Sequence, residues 1–394
     1  MSKPLCISTL DLQYYRFGGA VTKALVFAQI AKDEGFSPFF LTPSLPLHRT
    51  VKRTLRLQIP PHARESVFAG YPCHEMGAIL PEFEFNAHRF HIPSLKRLLD
   101  SSTACFAVSG NNSAARPFLD LKLPFSVWPG STFWEDCCDR FKQQPWNLRK
   151  IVDSISRTEC ERLEFHIFSQ ARQIAADTHY TRKAILSRNP AWVPKLMVTP
   201  IPVDCRLFHP PPNASRQQLV FIGRLSDPRK NISLLLEAFS RCAGQRPQLA
   251  LVMIGSGDES TRRLLQSHSH AGRIRWLQGI SEEEKIRELQ NAAALIIPSF
   301  QEGFGITGAE AMACGAPVIT TPCGGPEDFV VTNQNGFLLN GFTPDEMTDA
   351  ILRLTGDQTL QNNLARQARE HAEKHLSLEA VKPLLLEFLH GKKL

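Results

Sequence analysis

A chain of 394 residues is longer than one hydrophobic core usually serves, so two or three domains are expected. With 43% hydrophobic and 21% charged residues the composition is globular and excludes extensive disorder, and no run of about eighteen apolar residues marks a membrane span. The formal charge of +7 sits in the first half, where residues 1–205 hold 25 Lys and Arg against 18 Asp and Glu, whereas residues 206–394 hold 20 of each.

The apolar segment 3–10 leads to Gly18-Gly19-Ala20, then to an amphipathic stretch with Val21, Leu25, Ala28 and Ile30, then to strand-like residues 36–41. This is a strand, loop, helix, strand unit. The paired glycines either bring a helix N-terminus to a phosphate or only make a tight turn, since the GxGxxG pattern is not completed. Asp11 and Arg16 fall where a signal peptide would keep its apolar region, so a cytoplasmic protein is expected. Between residues 48 and 64 the basic charge is densest, with Arg49, Lys52, Arg53 and Arg56 spaced as on one helix face. Such a face is either a solvated surface or a contact for an anionic membrane or an acidic acceptor, which would place the protein peripherally on the inner face of the membrane. Nucleic acid is not expected as a partner, because no binding motif or aromatic-interleaved basic platform accompanies the charge.

The strand-then-helix rhythm continues. Residues 103–108 lead into Ser109-Gly110-Asn111-Asn112, residues 125–128 into Pro129-Gly130-Ser131, and Asp177-Thr178 opens another helix. One parallel-sheet domain fits this alternation. Ten cysteines form no CxxC pair and read as reduced thiols, the adjacent Cys137 and Cys138 included. Pro200, Pro202 and Pro210 to Pro212 then crowd a stretch where few regular elements persist, which marks the linker. The domains expected are 1–203 and 204–375, with a last helix in 376–394 that could cross back to the first.

After the linker the rhythm restarts. Residues 219–222 precede Gly223-Arg224-Leu225-Ser226, Lys230 heads a helix over 232–243, and residues 249–254 end in Gly255-Ser256-Gly257. Ser281 with Glu282, Glu283 and Glu284 is an N-cap with an acidic first turn. Residues 293–297 read as a buried parallel strand closed by Pro298. Gly303 and Gly305 let the following loop turn sharply, a helix begins near Thr307 or Gly308, and Gly315 can stop it. A loop between a strand and a helix is where open α/β sheets bind ligands. Glu302 in that loop and Glu310 in the first helical turn are both able to face one pocket. By themselves they are poor evidence for a site and read more simply as a solvated loop carboxylate and a helix-start carboxylate favoured by the macrodipole.

Three stretches change that balance: FIGRLSDPRKNISLLLEAF, LVMIGSGDE and IIPSFQEGFGITGAEAMACGAPVITT, in this order and spacing. They resemble the retaining nucleotide-sugar glycosyltransferases of the GT-B fold, family 4 type, most strongly from residue 220 to about 354. The resemblance implies an α/β chain of two Rossmann-like parallel-sheet domains facing each other across a cleft, the first binding the acceptor and the second the donor. It implies that Arg224 and Lys230 neutralise the donor diphosphate, that Glu302 stands beside the donor sugar, and that Glu310 accepts hydrogen bonds from the ribose. Phe304, Gly305 and Ile306, with Gly303, would offer backbone contacts, Gly223, Gly255 and Ile280 would line the donor site, and Gly18 and Gly19 would approach the diphosphate. The reaction implied is hexosyl transfer from a nucleotide diphosphate sugar, UDP- or GDP-linked, to a hydroxyl of a sugar, glycan or lipid-linked acceptor, with retention, without a metal and without a cofactor.

Three departures from the family pattern stand in the first half. Where many relatives have a His after a first-domain strand, this chain has Trp128-Pro129-Gly130, where they have Pro-Asn-Gly-Val-Asp it has Pro200-Ile201-Pro202-Val203-Asp204, and the polar Ser109-Gly110-Asn111-Asn112 loop is unlike the usual His-bearing segment. The competing readings are a catalytically silent sugar-nucleotide-binding protein and another GT-B enzyme such as a phosphorylase or an epimerase.

Overall fold

The computed structural model describes residues 3–10, 12, 18–44, 64–79, 84–135, 148–212 and 216–391. Arg49, Lys52, Arg53 and Arg56 of the basic face lie outside the described residues, as do Asp11, Arg16, Cys137 and Cys138. The chain forms two compact units, one of Met1–Ile201 with Lys382–Leu394 and one of Pro202–Val381. The sequence placed these junctions at 203/204 and 375/376.

In chain order the first unit runs β1 (Lys3–Ser8), α1 (Gly19–Asp33), β2 (Phe36–Pro43), β3 (Arg64–Phe68), β4 (Tyr71–Met76), α2 (Ile92–Leu99), β5 (Ala104–Val108), α3 (Arg116–Asp120), β6 (Ser126–Trp128), α4 (Leu148–Gln170), β7 (Ile174–Ala176), α5 (His179–Arg188) and β8 (Leu196–Val198). Its eight-stranded sheet has the order β3-β4-β2-β1-β5-β6-β7-β8. Leu5, Cys6 and Ile7 of β1 are wholly buried, the continuous apolar run of a strand covered on both faces. α1 buries Val21, Ala24, Phe27, Ala28 and Ala31, a helical stripe laid on the sheet. The sheet departs from the purely parallel expectation at one edge, where β3 and β4 pair antiparallel. Only Ala69 and Gly70, at φ 48° and 83°, join them, and a two-residue turn with both φ positive makes a hairpin and cannot make a parallel crossover.

The second unit runs β9 (Gln218–Ile222), α6 (Ile232–Gln245), β10 (Ala250–Ile254), α7 (Glu259–Gln266), β11 (Ile274–Leu277), α8 (Glu282–Gln290), β12 (Ala292–Ile297), α9 (Ile306–Ala313), β13 (Val318–Thr320), β14 (Gly336–Leu338), α10 (Pro344–Gly356) and α11 (Gln358–His371). A further helix, α12 (Leu378–His390), closes the described chain. The six strands are ordered β11-β10-β9-β12-β13-β14, and the pairs are parallel. Leu219, Phe221, Leu235, Phe239, Met253, Ile296, Ile351 and Leu354 share its core. Because β10 follows β9 to one side and β12 pairs with its other side, the strand order reverses between β9 and β12. Outside the carboxyl ends of strands at such a reversal, open α/β sheets place their ligands.

Candidate functional site

The loops that leave β9 and β12 bring two of the sequence-selected residues of the second unit, Lys230 and Glu302, into contact. After β9 the chain passes Gly223 and Arg224 into a short 3-10 turn, Pro228–Lys230, that ends on Asn231 in the left-handed region at φ 46°. Asp227 caps this turn by accepting from the Arg229 amide at 3.1 Å, and its carboxylate also takes the side chains of Arg229 at 2.9 Å and Arg224 at 2.8 Å. Against the cost of burial, the Arg229 hydrogen bond and the charges of Arg229 and Arg224 carry the Asp227 carboxyl down to about 2. The turn therefore holds a carboxylate that stays ionised, and Arg224 leans on it with most of its own side chain exposed.

Lys230, at the end of the same turn, points to the other loop. Its Nζ donates to Glu302 Oε1 at 2.5 Å, and Ser299 Oγ donates to the same oxygen at 2.6 Å. The backbone of Glu302 is fixed as well: its N–H donates to the Cys323 carbonyl at 2.7 Å and its carbonyl accepts from Gly325 at 2.9 Å. Thr321 Oγ1 donates to the Ser299 carbonyl at 2.6 Å, and the Phe300 amide donates to the Arg229 carbonyl at 2.8 Å, so the two loops are stitched to each other and to the strand behind them.

Two glycines of the site have a conformational reason. Gly255, at φ 137°, passes so close to the β9 loop that a Cβ there would lie 1.9 Å from the Gly223 carbonyl oxygen. Gly305, at φ 80° in the left-handed region that favours glycine, is the N-cap of α9, which begins at Ile306, one or two residues before the sequence expectation. Phe304 is buried against Phe329, ring centroids 5.5 Å apart, so its side chain anchors the loop. Gly303 and Ile306 flank it half-buried, and Ile280 is half-buried just before the Ser281 cap of α8.

Glu310 sits in α9 and is 7% exposed. Its Oε1 accepts from Lys285 Nζ at 3.0 Å, and its Oε2 has no hydrogen-bond partner among the described residues. Burial pushes the Glu310 carboxyl up, and the Lys285 charge and hydrogen bond pull against it. Each of the two carboxylates singled out by sequence thus has its own lysine, Lys230 for Glu302 and Lys285 for Glu310. Lys285, Asp227, Arg229 and Ser299 were missed by sequence reasoning. The only signal for Lys285 was a cation following three glutamates in the first turns of α8, and charge alternation on a helix is usually a solvated face.

Gly18 and Gly19 belong to the first unit, where Gly18 at φ 123° caps α1 with its carbonyl, accepting from Val21 and Thr22 at 3.0 Å each. Trp128, in the place of the family's His, is fully buried, and its indole Nε1 donates to Asp177 Oδ1 at 2.6 Å. Lys23 of α1 completes a buried trio, with Nζ 3.3 Å from Asp177 Oδ2 and 5.3 Å from the Trp128 ring centroid. A tryptophan committed in this way is part of the core.

Residues 208–371 match the family model described as Glycosyl transferases group 1. Over 236 residues the chain is 27% identical to a D-inositol 3-phosphate glycosyltransferase of Nocardioides, an alignment covering 53% of this chain and 51% of that protein. The chain spans about half the length of such curated relatives. Among solved structures it is similar to the sucrose-phosphate synthase of Thermosynechococcus elongatus, with a TM-score of 0.78, 18% identity and coverage of 99% of this chain and 98% of that one. It is also similar to Anabaena HepE in complex with UDP-glucose, with a TM-score of 0.73, 16% identity and coverage of 98% and 99%.

Proposed function

We propose that this chain, which has the GT-B fold and whose second unit carries the match to the group 1 glycosyltransferases, transfers a hexosyl group from a nucleotide diphosphate sugar to an acceptor hydroxyl with retention. The observation that carries the reading is the contact of Lys230 with Glu302 where the strand order reverses between β9 and β12. A cation and a carboxylate from two loops, with Arg224 exposed beside them, suit a donor in which a sugar and a diphosphate are joined at one bond.

As that bond breaks, negative charge accumulates on the leaving diphosphate. Lys230 and Arg224 stabilise it more than they stabilise the intact donor, which is how positioned charge lowers a barrier. Lys230 then exchanges part of its contact with Glu302 for phosphate oxygens, and the Glu302 carboxylate stands beside the sugar, where it favours positive charge on the ring. Departing phosphate takes the acceptor proton, so the acceptor attacks from the face the leaving group vacates and no separate base is required. Glu310 reads the ribose. Charge neutralisation by two basic side chains makes a divalent metal and a cofactor unnecessary, so turnover is expected to survive EDTA.

The donor is UDP- or GDP-linked, and the likeness in fold to a protein solved with UDP-glucose supports the former. The acceptor is a sugar, a glycan or a lipid-linked sugar. A cytoplasmic location, with contact to an anionic membrane surface through the basic stretch from Arg49 to Arg56, belongs to the same proposal. Among the described residues no helix is long and apolar enough to cross a membrane. A thermal-shift screen against UDP-, GDP- and ADP-sugars, followed by product analysis on an acceptor panel, tests the reading, because a ligand that binds the folded state raises its apparent stability. Stabilisation without turnover on any acceptor would favour the silent binding protein, a reading that the burial of Trp128 in place of a site histidine keeps in view.

A further inference from the structure

Glu310 is a buried carboxylate with an asymmetry that folding alone does not require. One oxygen takes Lys285 at 3.0 Å, and the other, Oε2, is buried with no hydrogen-bond partner among the described residues. A buried acceptor left unmade costs free energy, so its persistence beside a loop built to receive a ligand calls for a partner that arrives with the ligand. Lys285 is held as deliberately as the carboxylate. It is the fourth residue of α8, whose start is fixed by the reciprocal capping of Ser281 and Glu284. Its Nζ lies 3.7 Å from Glu282 and 4.9 Å from the centroid of the Phe208 ring. The ammonium thus sits on an aromatic face between two carboxylates and has little freedom to leave Glu310.

We propose that Lys285 is the residue that makes this site specific for ribose: by occupying Oε1 it fixes the rotamer of Glu310 and leaves Oε2 as a single, oriented acceptor for a nucleotide hydroxyl. The inference rests on the nucleotide-sugar reading above and adds to it a positioning residue outside the loops that carry the matched motif. Lys285 touches neither donor nor acceptor; it acts through Glu310. Without the ammonium, burial and the neighbouring Glu282 charge both favour a protonated Glu310, which donates a hydrogen where an acceptor is needed. A site whose buried acceptor is held in one orientation rejects an analogue lacking the hydroxyl, whereas a freely rotating carboxyl rejects it weakly.

The test compares the affinity of the full chain for UDP with that for 2′-deoxy- and 3′-deoxy-UDP, with GDP and ADP and their deoxy forms run alongside, for wild type, Lys285→Met, Lys285→Arg and Glu310→Gln. Methionine keeps the packing on Phe208 without the charge, and arginine restores the charge. Wild type is expected to prefer one ribonucleotide over a deoxy form by tenfold or more. Lys285→Met and Glu310→Gln should bring that ratio to within threefold of one, and Lys285→Arg should recover most of it. A Lys285→Met protein that melts like wild type and keeps the wild-type ratio, or that weakens both nucleotides equally, overturns the proposal while leaving the donor reading intact. No binding of any of the three ribonucleotides to wild type overturns both.

Discussion

The Lys230 ammonium and the Glu302 carboxylate are each about one-sixth to one-fifth exposed, so removing either leaves the other as a half-buried charge without its closest partner. The two variants should nevertheless fail differently. Lys230→Ala removes stabilisation that grows as the diphosphate leaves, and turnover is expected to fall by about 10² to 10³ with a smaller change in donor affinity. Steady-state kinetics with the donor identified by thermal shift measure both. Glu302→Ala is expected to lower turnover without removing nucleotide binding, since the proposed reaction puts it beside the sugar. Undiminished turnover in that variant would remove Glu302 from the mechanism. Gly255→Ala is a prediction about folding: at φ 137°, with a Cβ aimed at the Gly223 carbonyl, it should cost more than about 2 kcal/mol in denaturant melts, because backbone and not a flexible side chain must move. At this scale the sequence motifs singled out Arg224, Lys230, Glu302 and Glu310 as candidates, and the Lys230–Glu302 contact joins two of them. The motifs could not reveal Lys285, because what matters is which oxygen it occupies, and that follows from the packing of α8 beside α9.

Among elements, α1 and the ends of β6 and β7 are joined by charge in the middle of an apolar layer. Phe27 of α1 packs edge-on to Phe106 of β5 with centroids 4.8 Å apart, and within this layer Lys23 meets Asp177 and Trp128. Burial pushes the Asp177 carboxyl up to about 6 from an ordinary 3.8, with the Lys23 charge and the Trp128 hydrogen bond opposing it. A carboxyl whose pKa is raised by folding favours the folded state in acid, fully below its unfolded value, and loses that contribution as pH rises through the folded value. The Trp128 indole N–H signal, assigned by Trp128→Phe, should therefore titrate with a midpoint near 6, and Asp177→Asn should abolish that titration. An indole signal that stays fixed between pH 5 and 7 would mean the carboxyl does not change charge there. Sequence reasoning noticed Trp128 only as a departure from a family pattern. The alternation of strands and helices was legible from apolar runs and glycines, yet the β3–β4 hairpin was not, since Ala69-Gly70 shows its turn only through two positive φ angles.

For the whole molecule, the first unit is completed by residues from the far end of the chain. Lys382–Leu394 cluster with Met1–Ile201, so the first unit cannot be completed until the second has been synthesised. The wholly buried Leu385 and Phe388 of α12 explain why the chain returns. Phe388 packs against Phe27, Phe106 and Trp128 with centroids 5.4 to 6.3 Å away, and so touches α1, β5 and β6 at once. Phe388→Ala should cost the first unit about 3 to 5 kcal/mol, the usual loss for emptying a packed aromatic site. Deleting residues 382–394 should cost more. The second unit has its own core, with Phe239 and Leu235 wholly buried. Calorimetry of the deletion variant should therefore show a transition lost or moved down by well over 10 °C beside one that stays in place, with donor-nucleotide stabilisation followed on the surviving transition. A single transition shifted as a whole would show instead that the two units unfold together. The sequence expectation that the last helix could cross back rested only on its position after the second domain, whereas the reason for the return lies in aromatic contacts separated by more than 250 residues of chain, which no local pattern records.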